Sequence, residues 1–388
     1  MTGLRDWATE RPTLLRDGPT WLGLLIAALL LAGVGTPRPE QVLSLFLVVA
    51  TLFLSLRFRL GPLAVILLFA VGVLMRDAFI GAGQSDVLSV TAMAIERMLA
   101  GGNPYGIGYP ITSPAGAPFA YGPLALLWYL PAADPRAVEL SVSLLILALL
   151  AIRGRVVGLA IYAVSAVLLV TASDGSNDTS AGLFILVALL AAQRSAVAGG
   201  ALLALAVAFK PYALAWLPPL LVLGGWGGVL VGFGAVLLAT WGPVLAIWGP
   251  GSVLVSLRLA DAIHVRSYYS LVYALERDAP GVRAFFEPLR FVLGAAMAVA
   301  SWLVVRSPAS MILWGTAVFL VTLFTGYWST FAYFAALAPV LCWHLDEWLG
   351  LGEGRVRWPA DPVGRLSAWV DARWPPRAAV TGRSIIGR

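Results

Sequence analysis

From Trp21 to Trp343 the chain keeps returning to apolar runs of near-spanning length, and no other feature constrains its fold as strongly. About 20 helical residues cross the ~30 Å hydrocarbon core of a bilayer. In lipid every backbone N–H and C=O must find a partner inside the protein, which leaves helices and closed barrels. Uninterrupted runs without alternation fit helices. Composition agrees, with 60% of residues hydrophobic and 12% charged, a balance foreign to a soluble domain of 388 residues. The chain is therefore read as all-α, a polytopic transmembrane helical bundle.

Spans are expected near 20–35, 41–56, 61–75, 136–152, 156–172, 179–193, 196–210, 211–223, 226–248, 288–305, 308–324 and 328–345, about twelve in all. The first follows a polar N-terminus and has no small-residue cleavage site, so it is read as a retained span rather than a signal peptide. Residues 121–131 are apolar but too short to cross, and are expected as a half-helix or re-entrant element ending at Pro131. Arg5, Arg11, Arg16, Arg57, Arg59, Arg153, Arg155, Arg194 and Arg306 then fall on one side. By the positive-inside rule that side is cytoplasmic, placing segment 1–19, the tail 346–388 and both termini inside a plasma membrane. The same arginines account for most of the pI of about 9.7, and nucleic-acid binding is not suggested. The tail interleaves arginines with Trp358, Trp369 and Trp374, the pattern of an anchor on an anionic leaflet. Cys342 is the only cysteine, which excludes an internal disulfide and a cysteine metal site.

Within the transmembrane region 20–345, two long stretches interrupt the apolar pattern on the outer side, 76–120 and 249–287. Long loops in compact proteins are usually functional. The first begins with Arg76 and Asp77, for which a local ion pair at headgroup level is the expected state. It continues with Asp86 at the start of an expected helix, 86–100, capped by Ser85 and closed by Gly101-Gly102-Asn103-Pro104-Tyr105. Val87, Leu88, Ala92, Ile95 and Leu99 are expected to share one face, laying an amphipathic helix on the membrane surface. The helix dipole would help keep Asp86 ionised. Such a carboxylate admits two readings, a general base toward a hydroxyl or a structural N-terminal charge.

Lys210 is the only lysine, and it interrupts apolar sequence in Ala208-Phe209-Lys210-Pro211-Tyr212. An ionisable group there points to function, and a compact ammonium suits a phosphate oxygen, with snorkelling to the interface as the alternative. Ser173-Asp174-Gly175-Ser176-Asn177-Asp178 could orient hydroxyls, though the same residues build ordinary turns. The second loop offers Arg258, His264 and Arg266 as cations for a departing phosphate, with Tyr268 and Tyr269 as interfacial aromatics. No nucleotide-binding loop, zinc motif or nucleophile elbow stands in a supporting context, and no cofactor or metal is indicated.

Asp86, the helix into Ala100-Gly101-Gly102-Asn103-Pro104-Tyr105, and then Tyr121-Gly122-Pro123-Leu124 resemble the first extracytoplasmic loop of type C glycosyltransferases. More narrowly they look like the polyprenol-phosphate-mannose-dependent mannosyltransferases of actinobacterial phosphatidylinositol mannoside synthesis. Ala198-Gly199-Gly200 through Leu205 to Lys210-Pro211 is similar to that family's glycine-to-lysine helix. Gly175-Ser176-Asn177-Asp178 stands where the family often has Gly-Gln-x-Asn, here without the glutamine. The resemblance covers approximately 60–225 and follows the later spans by hydropathy alone.

It implies a membrane hexosyltransferase, generally inverting, that takes mannose from a polyprenyl-phosphate donor to an extracytoplasmic lipid or glycan acceptor. Asp86 would be the catalytic base. Lys210, His264, Arg258 and Arg266 would face the donor phosphate, and Asn103, Tyr105, Tyr121, Asn177 and Asp178 would line the acceptor pocket. The rival class is a polytopic transporter or lipid flippase. That class places ionisable groups near mid-span and usually carries an internal repeat, which this sequence lacks.

Overall fold

The structure is a computed structural model that describes residues 62–348 apart from 82, 84, 113–114, 133, 264–269 and 327–328, together with 46, 368–370 and 372–373. The expected spans 20–35 and, but for residue 46, 41–56, the segment 1–19 and nearly all of the tail lie outside these residues. The described chain is mostly helical, with one two-stranded antiparallel ribbon pairing β1 (Gly108–Tyr109) with β2 (Ala117–Pro118). Three helices are long and apolar enough to cross a membrane: Pro135–Ile152, Trp226–Ala260 and Val282–Val304. A fourth candidate is the pair Val156–Val164 and Ala166–Ser173, bent by 61° at Ser165 where one continuous span was expected.

In chain order the helices are α1 (Pro62–Ala78), α2 (Asp86–Leu99), α3 (Pro123–Tyr129), α4 (Pro135–Ile152), α5 (Val156–Val164), α6 (Ala166–Ser173), α7 (Asp178–Ala192), α8 (Ala196–Phe209), α9 (Leu217–Gly224), α10 (Trp226–Ala262), α11 (Leu271–Glu276), α12 (Val282–Val304), α13 (Pro308–Phe324), α14 (Phe331–Ala335) and α15 (Ala338–Trp348). A 3₁₀ turn, Pro211–Trp216, separates α8 from α9 because Pro211 cannot continue the helical ladder. The apolar core lies among α4, α5, α7, α8 and α13 and includes Trp216 and Phe319, whose rings are tilted by 45° with centroids 5.3 Å apart. Helices α8 and α10 pack along their length, since Gly200 lies against the backbone of Val229 and Gly232 against that of Val197.

Two expectations change here. The stretch 249–287 is largely helical rather than a loop: α10 runs on to Ala262, past a break at Gly249 and Pro250, and α11 and the start of α12 follow. Gly249 carries the break with φ 75°, and Pro250 lacks the N–H that would bridge it. Arg76 is not paired with Asp77. Neighbours on a helix point about 100° apart, so only one of the two can face the bundle. Arg76 does, 2% exposed, donating to Ser143 Oγ (2.7 Å), Gly72 O (2.9 Å) and Tyr162 O (3.1 Å), while Asp77 is exposed.

One end of the bundle is fastened by basic and acidic side chains. Asp346 accepts from the N–H groups of Val157 and Gly158 at 3.1 and 3.0 Å, a carboxylate from α15 closing the open N-terminus of α5. Arg155 pairs with Glu347, and the guanidinium groups of Arg153 and Arg155 lie over the Trp343 ring. The opposite ends of α4, α6, α7 and α8 carry the features below.

Candidate functional site

Helix α2 begins where the sequence places it, at Asp86, with Ser85 as N-cap accepting from Val87 N at 3.2 Å. Its buried stripe is Val90, Thr91 and Ala94, spaced three to four residues apart, and Leu99 and Ala92 of the expected apolar face are exposed. The helix start is pinned to the turn 173–178. Ser85 N donates to Asp174 O at 2.8 Å, and a side chain at Gly175 would meet Leu88 at 2.8 Å. Gly175 also has φ +84°, so both space and backbone call for glycine there.

That turn is buried, although its composition suits an exposed one. Asn177 is 0% and Asp178 1% exposed. Asp174 accepts from Ser176 N (2.8 Å) and Ser176 Oγ (2.6 Å), and burial pushes its carboxyl up to about 6 despite those bonds. Lys210, at the C-terminal end of α8 and 3% exposed, donates to Asn177 Oδ1 and Asp178 Oδ1, both at 2.7 Å. Tyr212 donates to the same Asp178 oxygen at 2.7 Å. The Lys210 ammonium lies 4.8, 5.1 and 5.5 Å from the ring centroids of Tyr333, Tyr212 and Tyr121. Each charge sits at the helix end whose dipole favours it, Asp178 at the N-terminus of α7 and Lys210 at the C-terminus of α8. Lys210, expected to face a phosphate, is committed to a carboxylate and an amide of its own chain.

Asp86 lies within electrostatic reach of Lys210 and Tyr121. Burial raises its carboxyl above the usual range, with the Val87 N–H, Ser85 and the Lys210 ammonium pulling the other way. The helix terminus was expected to keep Asp86 ionised; desolvation outweighs it. Tyr121 belongs to the cluster through the next residue. Gly122 N donates to Phe209 O at 3.2 Å, and a Cβ there would overlap Ala208 O at 1.9 Å. Only glycine lets this strand of loop touch the end of α8.

The short α3 that follows does not cross. Its seven residues rise about 10 Å. It starts at the end of α8 and finishes with the Tyr129 hydroxyl donating to Glu139 Oε1 at 2.6 Å, one turn into α4. Glu139 is 0% exposed and also accepts from Ser180 N (3.0 Å) and from the Ser180 hydroxyl. Sequence reading passed over Glu139, Tyr212 and Tyr333. Glu139 had a usable signal, as the acidic residue inside the apolar run of α4.

Other expected site residues take different places. Asn103 Oδ1 accepts from Tyr105 N at 2.9 Å, and its carbonyl accepts from Arg97, so it shapes a turn. Tyr105 is 2% exposed, packed on Phe119, Trp241 and Trp248, and donates to Tyr121 O at 3.3 Å. The loop is held to α10 by Gly106 N donating to Ser256 Oγ at 2.8 Å. Arg258 is exposed on the same stretch of α10. His264 and Arg266 lie outside the described residues. Among the described residues no three His, Cys, Asp or Glu side chains are grouped to hold a metal ion.

Chemically the cluster offers one partly exposed carboxylate, a buried ion pair fixing the turn beside it, and phenol rings around the ammonium. No known protein family, curated protein or solved structure matches the chain.

Proposed function

We propose that this chain is an integral membrane glycosyltransferase that moves a hexose, mannose by resemblance, from a polyprenyl phosphate to a hydroxyl of an extracytoplasmic lipid or glycan. The observation that carries the reading is Asp86: a carboxylate at the first turn of an amphipathic helix, held against a buried polar turn at the ends of apolar helices. Asp86 takes the proton of the acceptor hydroxyl as its oxygen attacks the anomeric carbon. The bond from that carbon to the phosphate oxygen breaks on the opposite face, and the bonding pair leaves with the polyprenyl phosphate. One proton ends on Asp86, and the configuration inverts.

Arg258, His264 and Arg266 are the cations proposed to meet the leaving phosphate. Lys210 acts through Asp178, holding the turn on which the Asp86 helix rests. The about twelve spans, the cytoplasmic termini and the external site belong to the same proposal. Ionisable groups at helix ends favour it over transport, which would want them at mid-span.

Membranes bearing wild type or Asp86→Asn, given radiolabelled polyprenyl-phosphate mannose, test it. Loss of a positioned base lowers transfer by roughly 10²–10⁴. Transfer at the wild-type rate by the variant overturns the assignment.

A further inference from the structure

We propose that Glu139 is a positioning residue of the transfer reaction, a negative charge inside the bundle that shares Lys210 with Asp86 and so strengthens Asp86 as a base. The consequence for transfer rests on the transferase reading; the coupling between the charges rests on geometry alone.

That coupling runs through one short stretch of chain, 174–180. Ser85 N, at the start of the Asp86 helix, donates to Asp174 O at 2.8 Å. Lys210 donates to Asn177 and Asp178 at 2.7 Å each. Ser180 N donates to Glu139 Oε2 at 3.0 Å. Asp178 and Ser180 both lie in the first turn of α7, so two carboxylates meet one helix N-terminus. Asp178, Glu139 and Asp86 are all within electrostatic reach of Lys210.

Apolar packing already joins the helices at this point. Trp128 meets Phe184 (ring centroids 4.9 Å apart), Phe184 meets Phe209 (5.2 Å) and Tyr129 meets Phe209 (6.0 Å). A carboxyl group buried among them is costly, and inside a membrane bundle such a group marks function. Its bonds favour the ionised form. Oε1 accepts from the hydroxyls of Tyr129 and Ser180, and Oε2 accepts from an N–H. Trp128 Nε1 donates to Ser180 Oγ at 3.0 Å, which leaves the Ser180 proton to point at Glu139.

Asp86→Cys in a Cys342→Ala background puts a thiol where the carboxylate stands. In full-length protein in nanodiscs, its rate of alkylation by iodoacetamide against pH reads the field at that position without any substrate. Glu139→Gln keeps an oxygen for Ser180 N and turns its NH₂ toward two hydroxyls that can accept, so the shape stays and the charge goes. Glu139→Met loses the bonds as well. The other charged or titratable groups around the cluster are common to every variant: Asp174 and Asp178, Tyr121, Tyr212 and Tyr333 beside Lys210, and Arg76, which bonds Ser143 one turn along α4. Removing a like charge favours the thiolate, so both Glu139 variants are expected to lower the thiol midpoint by roughly half a pH unit. Glu96→Gln removes an exposed charge from the Asp86 helix itself and is expected to leave the midpoint in place, because water and salt screen it. With Asp86 restored, Glu139→Gln is expected to lower kcat for transfer roughly threefold at unchanged KM, as a weaker base takes the proton more slowly. A midpoint that stays or rises in a folded Glu139 variant overturns the proposal, as does an equal shift in Glu96→Gln or a wild-type kcat. If one Glu139 variant does not fold, the other decides alone.

Thiol and transfer separate the two readings. A thiol midpoint that moves with Glu139, with transfer untouched by Asp86→Asn, sinks the catalytic assignment and spares the coupling of charges. Transfer that depends on Asp86, with a thiol indifferent to Glu139, does the reverse.

Discussion

At the scale of single residues, the site is governed by how one buried cation is shared. Lys210 has Asp178 and Asn177 as bonded partners and lowers the carboxyl of Asp86 against the larger effect of burial. Removing one member of a buried pair leaves an uncompensated charge, which typically costs about 3–5 kcal/mol, whereas replacing both by neutral groups is often nearly neutral. Lys210→Met is therefore expected to lower the melting temperature sharply in detergent, and Lys210→Met combined with Asp178→Asn to recover most of it. The double variant also reads Asp86. On the proposed reading Asp86 works as base only when ionised, and its raised carboxyl is expected to make transfer fall, as pH drops, above the ordinary aspartate value of ~3.9. Without the ammonium that fall moves to higher pH, and a pH profile of the transfer rate checks both positions. Lys210 was legible in the sequence because it interrupts an apolar run, and Asp86 because it follows a capping serine in a long polar stretch. The turn bond of Asn103 and the packing of Tyr105 were not legible, since turn chemistry and core packing use the same residue types as a pocket. Asn177 looked like a plain turn former, because its burial depends on helices distant in sequence.

At the scale of elements, the site exists because the ends of α6, α7 and α8 meet, joined by the Asp174 turn and by Lys210. The chain bends by 61° at Ser165, so α6 ends at the Asp174 turn, and α8 ends at Lys210 because Pro211 forbids its continuation. The proline stop could be read from the sequence. The bend at Ser165 could not, as hydropathy continues unbroken across it, and at Gly249 the expected span ended in place but the helix beyond it was taken for a loop. Gly122 is where the loop meets these ends, with room for no side chain against Ala208 O. Gly122→Ala must push the loop off α8, and overpacking of this kind costs typically 1–3 kcal/mol. A lower melting temperature is expected, together with reduced transfer because Tyr121 moves with it. Unchanged stability would show that the loop and α8 are less tightly joined than their backbone bond at 3.2 Å implies.

At the scale of the whole molecule, the two ends of the bundle differ in charge, and the proposed orientation in the membrane rests on that difference. Arg153, Arg155, Arg194 and Arg306 cap one end, with Asp346 and Glu347 bound among them. Asp86, Glu139, Asp174 and Asp178 gather at the other around Lys210. Helix direction makes the assignment internally consistent: α4 runs from Pro135, near Glu139 and Ser180, down to Arg153, and α7 runs from Asp178 down to Arg194. Arginine excess generally marks the cytoplasmic side, and on that rule the proposed topology has the carboxylate end facing out. Single cysteines in a Cys342→Ala background test this in intact cells. Asp134→Cys, at the exposed N-cap of α4, is expected to react with an impermeant maleimide. Arg306→Cys, exposed between α12 and α13, is expected to react only after the membrane is opened. The reverse pattern would put Asp86 on the cytoplasmic side. A polyprenyl-linked donor and an acceptor would then have to meet inside the cell, and the transferase would have to be sought among reactions of that compartment.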